Sequence, residues 1–420
     1  MGNKLTSFGR YWTPRRMLYH SYQAYQDASE GLRALARVGM AWGTMFRNFG
    51  DVGASHGVMA ALELTSRTKF THTRPPYGID HVRVGERKVA VREEIALGLP
   101  FCDIIRFAKK GVPAQPKMLV VAPLSGHFAT LLRKTVETLS RDHDVYITDW
   151  KNARDVPLSA GPFGFDDYVD YIIKALEAIG PGAHLLAVCQ PCVQALAAVA
   201  LMADEKNPAT PRSMTLMAGP IDTRVNPSAV NELATSKPIE WFEQNLISNV
   251  PEKFAGTGRR VYPGFVQLIA FMSMNMDKHA NAHRELYDHI ASGRTEQAEA
   301  IKTFYDEYFA VLDLTAEFYI ETVSKVFQEA LLAKGELICL GRKVDPSVIK
   351  RTALLTVEGE RDDICSVGQT AAAHDMCKGL RPHLKRHHLQ PGVGHYGTFS
   401  GKKWEGQIYP AIRNLVLAVN

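Results

Sequence analysis

Apolar and polar positions change rhythm along this chain, and each change predicts a different kind of element. Between residues 21 and 48, Leu32, Leu35, Val38, Trp42 and Phe46 recur at near-helical spacing among Arg33, Arg37 and Arg47, which predicts an amphipathic helix. Its apolar side is expected to pack on the main body; a surface anchor for an apolar particle is the less favoured reading. Pro75-Pro76-Tyr77-Gly78 then marks a turn, and residues 82–91 predict a β-hairpin closed around Gly85-Glu86. From Met118 the pattern alternates: strand at 118–122, helix at 128–139, strand at 144–148, helix at 165–179, strand at 183–188.

Strands alternating with helices imply right-handed crossovers and a parallel sheet covered on both faces, so the expected class is α/β. After one more strand at 214–218 the alternation stops for about the length of a small domain. The interruption reads as helical, with Phe304, Tyr305, Tyr308, Phe309, Leu312, Phe318, Tyr319, Val323 and Phe327 forming an aromatic-rich face. Strand patterns resume at 353–357 and 387–390, and a last helix is expected over 404–419. The organisation predicted is an N-terminal helical extension at 1–78, the first part of an α/β core at 79–220, a helical cap at 221–345 and the second part of the core at 346–420.

Composition narrows the picture without naming a partner. The 420 residues, 46% hydrophobic and 22% charged, exclude a disordered or fibrous chain and a small single module. The net charge of +5 comes from scattered basic residues, which argues against nucleic acid. The stretch 185–203 is almost wholly apolar, but Pro191 interrupts it after a strand-like start, so a buried strand entering a buried helix is expected and a transmembrane helix is not. The start of the chain has no apolar leader core, and the six cysteines are therefore read as reduced thiols of a cytoplasmic protein. No metal-ligand spacing is present; His387 and His388 are consecutive and face opposite ways in a strand. No phosphate-binding glycine motif follows a strand, so no cofactor is expected.

The chemistry concentrates where the strand at 183–188 runs into Cys189-Gln190-Pro191-Cys192. This has the layout of a nucleophile elbow, usually G-x-S-x-G, with Ala187 and Pro191 in place of both glycines. Alanine is still small, and proline suits a first helical turn, where its missing N–H has no partner to lose. A cysteine there needs a base and an orienting acid, which in the α/β-hydrolase order follow later strands. Asp362 follows residues 354–359, with Asp363 in reserve, and His395 follows the last strand within Gly394-His395-Tyr396-Gly397. The expected oxyanion donors are the amide of Gln190 and that of Leu124 or Ser125 in the loop after the first long strand. Ser125, His127 and Met274, the last from the group Met272, Met274 and Met276, are candidate substrate contacts. For His127 and the methionines ordinary packing competes with that role. A thioredoxin-type redox pair is the rival reading of Cys189 and Cys192, but it leaves Asp362 and His395 without a role.

With these residues in view, the chain resembles the intracellular poly(3-hydroxybutyrate) depolymerases, α/β-hydrolases related to the polyhydroxyalkanoate synthases. The resemblance runs from about Met17 onward. It passes through Ala122-Pro123-Leu124-Ser125-Gly126-His127, Tyr146-Ile147-Thr148-Asp149-Trp150 and Val188-Cys189-Gln190-Pro191. It continues through Gly219-Pro220-Ile221-Asp222, Gly258-Arg259-Arg260-Val261-Tyr262-Pro263-Gly264-Phe265 and Gly394-His395-Tyr396-Gly397. It implies Cys189 as nucleophile, Asp362 as acid and His395 as base, and amorphous polyester granules as substrate. A synthase acting on hydroxyacyl-CoA and a non-catalytic granule coat are the alternatives; the synthases usually keep glycines where Ala187 and Pro191 stand. The sequence leaves open whether the chain forms a homo-oligomer.

Overall fold

A computed structural model describes residues 14–47, 56–67, 70–274 and 276–420. Nine strands form one sheet: β1 (His81–Val84), β2 (Arg87–Gly98), β3 (Cys102–Lys109), β4 (Lys117–Val121), β5 (Asp144–Trp150), β6 (His184–Val188), β7 (Ser213–Met217), β8 (Ala353–Gly359) and β9 (Lys385–Gln390). Their order is β1-β2-β3-β5-β4-β6-β7-β8-β9. The first three are antiparallel, with β3 also antiparallel to β5, and from β5 onward every pairing is parallel.

That division follows from the sequence. The β1–β2 hairpin turns at Gly85, whose φ of +57° is open to glycine, and β2 keeps a mostly exposed face. The central strands β6 and β7 are buried at every position, as strands covered on both faces must be. Helices α3 (Arg133–Leu139), α4 (Phe165–Ile179) and α5 (Cys192–Asp204) supply the crossovers. In α5 every side chain from Cys192 to Met202 is buried, so the apolar run is an interior helix entered from an interior strand. No described helix is long and apolar enough to cross a membrane.

At the N-terminus, α1 (Pro14–Arg47) begins earlier than the pattern indicated, and α2 (His56–Arg67) packs on it. The face of α1 that goes inward is not the expected stripe. Tyr19, Arg33 and Ala36 are buried, whereas Leu35 and Val38 are exposed. The side chains of Leu32, Trp42 and Phe46, and the end of the expected helix at Asn48, lie outside the described residues.

Between β7 and β8 the chain leaves the sheet. It builds α6 (Ala229–Thr235), α7 (Ile239–Leu246), α8 (Gly264–Met274), α9 (Met276–Ala291), α10 (Thr295–Tyr308) and α11 (Ala316–Thr322). The expectation of a wholly helical insert needs one correction: Ser248–Asn249, Arg260–Tyr262 and Leu314–Thr315 pair as a small antiparallel sheet. This ribbon is fastened to the main body. The buried Arg259 guanidinium donates to the carbonyls of Val156, Pro157 and Gly161 and lies over the Phe101 ring. Gly256 lies so close that a Cβ would come within 2.6 Å of the Arg154 carbonyl oxygen.

Candidate active site

The turn after β6 carries a strained residue. Cys189 has φ +68°, in the left-handed region that non-glycine residues rarely occupy, and its amide donates to the Met217 carbonyl at 2.8 Å. Pro191 stands immediately before α5 with helical dihedrals, so its absent N–H leaves nothing unbonded in the helix. The room that glycines flanking the cysteine would have provided comes instead from the neighbouring strand end. A Cβ on Gly219 would lie 2.2 Å from the Cys192 Cβ and 2.9 Å from the Cys189 carbonyl oxygen, so only glycine fits there. Cys192 itself is fully buried, its thiol directed at the Ala187 and Met217 carbonyls, and burial raises its pKa well above the ordinary thiol value. All six cysteines are free.

The far end of the chain brings an acid and an imidazole to this turn. His395 opens a short turn, His395–Thr398, after β9, and its Nδ1 is 2.8 Å from Asp362 Oδ2. The other Asp362 oxygen accepts the amides of Ile364 and Cys365 at 2.9 and 2.8 Å, which fixes the carboxylate's orientation. Burial alone would lower the His395 pKa. The adjoining Cys189 sulfur and the Asp362 carboxylate outweigh it and hold the imidazole well above 6.5. Asp363, the reserve acid, is exposed, and His395 bonds its neighbour Asp362.

The acid loop has its own support, which the sequence reading missed. Glu358, buried near the end of β8, accepts the amides of Gly368, Thr370 and Ala371 at 2.8 to 3.0 Å. Thr370 in turn accepts the Gly219 amide at 2.8 Å, so one loop ties Asp362 to the space beside Cys189. The available signal was an acidic side chain within a largely apolar strand, which must find donors once that strand is buried.

On the opposite side lies the loop after β4. The amides of Leu124, Ser125 and Gln190 donate to no acceptor among the described residues. Leu124 is buried and Ser125 half-buried. Gly126, at φ +91°, accepts the Leu312 amide and is packed under Gln267 of α8, so the insert braces this loop. His127 is buried, with Nε2 3.2 Å from the Tyr308 carbonyl oxygen and its ring against the Tyr308 ring; burial lowers its pKa to about 4, so it is neutral. Met274 ends α8, and its side chain lies outside the described residues. Among the described residues no cluster of three metal-ligating side chains occurs.

A mostly parallel sheet with a left-handed turn after an inner strand, and with helices on both faces, has the α/β-hydrolase fold. Residues 218–420 match the family described as PHB de-polymerase C-terminus. No curated protein matches it. Similar solved structures include a Bacillus megaterium epoxide hydrolase at 13% identity and TM-score 0.45, covering 78% of this chain and 100% of that one. A Paleococcus ferrophilus monoacylglycerol lipase aligns at 12% identity and TM-score 0.42 over 73% of this chain and 97% of that one. A 2-hydroxy-6-oxo-6-phenylhexa-2,4-dienoate hydrolase from Rhodococcus aligns at 11% identity and TM-score 0.41, over 78% and 98% respectively.

Proposed function

We propose that this protein hydrolyses amorphous poly(3-hydroxybutyrate), held as cytoplasmic storage granules, to 3-hydroxybutyrate oligomers and monomer. The observation that carries the reading is the buried 2.8 Å bond between Asp362 and His395 facing a left-handed Cys189. The family match supports the substrate class. His395, oriented through Nδ1, takes the thiol proton as the Cys189 sulfur attacks an ester carbonyl. The tetrahedral oxyanion is held by the Gln190 amide and by that of Leu124 or Ser125. Breaking the C–O bond releases the 3-hydroxyl end of the polymer, protonated by His395. Water activated by the same imidazole then cleaves the thioester, freeing the acid and the thiol. The sequence needs neither metal nor cofactor.

In this reading the segments 79–220 and 346–420 form the catalytic body, 221–345 a cap and 1–78 an extension. Ser125, His127 and Met274 are the substrate contacts of this reading. Incubating purified protein with amorphous granules is expected to release soluble 3-hydroxybutyrate, and Cys189→Ala to lower that rate at least ~1000-fold. Hydrolysis at the parental rate by Cys189→Ala overturns the assignment. Release of free CoA from 3-hydroxybutyryl-CoA, with polymer growth, identifies a synthase instead.

A further inference from the structure

Next to His395 the chain places a phenol that the mechanism above does not use. The Tyr396 ring stands edge-on to His395 at 5.9 Å and to Phe399 at 5.7 Å. It packs against the main core and also against the insert's cluster of Leu268, Tyr305, Tyr308 and Val311. Tyr396 thus lies on the seam between the catalytic body and helices α8 and α10. Its hydroxyl has no hydrogen-bond partner among the described residues, and neither has that of Tyr308. The rest of the seam is mostly apolar, with Met272, Phe309 and Ile301 beside these rings.

Several observations locate and characterise the two hydroxyls. Burial, the nearby Tyr308 and the Cys189 sulfur, in that order, raise the Tyr396 phenol far above its ordinary value. Burial and Tyr305 push Tyr308 up to about 12. Both therefore keep their protons and act at neutral pH as neutral donors. The Tyr308 ring is also held firmly, tilted on His127 at 5.1 Å and stacked on His279 at 5.2 Å, with its carbonyl bonded to His127. A neutral donor in an apolar seam, close to the nucleophile but separate from the oxyanion amides, matches a ligand that offers acceptors and no donors.

A polyester chain is such a ligand: each repeat carries one carbonyl acceptor, and the interior has no donor. We propose that the Tyr396 hydroxyl, with Tyr308 beside it, donates a hydrogen bond to the ester carbonyl adjacent to the scissile one. Tyr396 is then a specificity-determining residue that distinguishes a polyester chain from an isolated ester. The inference rests on the hydrolase reading given above and names a subsite within it. A site built to bond a substrate oxygen discriminates against substrates lacking that oxygen.

The test compares a linear 3-hydroxybutyrate trimer with p-nitrophenyl butyrate, which has no neighbouring ester, using the full-length protein. In Tyr396→Phe the ratio of kcat/KM for the trimer to that for the single ester is expected to fall about tenfold. Tyr308→Phe, which removes the flanking hydroxyl, should lower the same ratio about threefold and provides a second readout if the first variant folds poorly. A ratio unchanged in both variants overturns the proposal, even if both absolute rates drop, because a purely structural role affects the two substrates alike. Parental protein that cleaves the single ester but not the trimer overturns the polyester reading itself, and the parental arm alone reveals that outcome.

Discussion

Two apolar-rich helices of this molecule, α5 and α1, obey different rules. Helix α5 is enclosed by the sheet and by α4, so every side chain from Cys192 to Met202 is buried and it has no solvent face to orient. Helix α1 lies on the outside. It turns Tyr19, Arg33 and Ala36 inward while Leu35 and Val38 remain 70% and 53% exposed. Its attachment is polar and aromatic. The Tyr19 hydroxyl donates to the fully buried Asp313 at 2.5 Å, and Tyr22 stacks on Phe265 at 3.8 Å and bonds His72. An enclosed helix is specified by its own composition, whereas a peripheral one is oriented by the particular groups available on its partner.

The largest effect is expected at the enclosed end of the comparison. Asp362→Asn leaves the shape of the site but removes the carboxylate that orients and charges His395, and kcat/KM should fall by about 1000- to 10000-fold. The sign of the pH dependence follows from the raised imidazole. The His395 contribution to stability is complete below its unfolded value of about 6.5 and is lost as pH rises through the higher folded value. With His395 acting as the base, its titration sets the acid limb of the kcat/KM profile, and in Asp362→Asn that limb should therefore move to lower pH. The stability gain seen on lowering pH toward 6.5 should also shrink, which unfolding curves at several pH values check.

Gly219→Ala comes next. Its new Cβ falls on Cys192 and on the Cys189 carbonyl, none of which can withdraw from the packed elbow, so a loss of about 3 kcal/mol is expected in denaturant unfolding. Tyr19→Phe should cost about 1–3 kcal/mol, because the buried Asp313 carboxylate keeps the Gly264 amide at 2.9 Å but loses its hydroxyl donor. The smallest effect belongs to Leu35→Ala with Val38→Ala on the exposed side of α1, expected to lie within about 0.5 kcal/mol for each change. A substantial loss there would show that α1 buries that side against something else and would weaken the contrast between the two helices.

The contrast extends to what could be read in advance. Residues 165–179 were expected as a helix and are one, because their apolar spacing is local and their partner is a flat sheet face. The order of Cys189, Asp362 and His395 along the chain was also legible, since each follows a strand end in a parallel sheet. Gly219, Glu358 and the Tyr19–Asp313 bond were not. Each acts on groups distant in sequence, and nothing in the neighbouring residues reports such an encounter.

The sequence by itself therefore determined the α/β class, the interior strand leading into an interior helix, and which thiol, carboxyl and imidazole follow which strands. These depend on short-range periodicity and on the few connections a parallel sheet allows. Only the tertiary structure decided how a cysteine without flanking glycines reaches its left-handed turn, through the missing side chain at Gly219. It alone decided which side of α1 faces inward and that an insert helix braces the loop after β4. Those outcomes depend on steric room and hydrogen-bond partners supplied by residues tens to hundreds of positions away, which the local pattern does not encode.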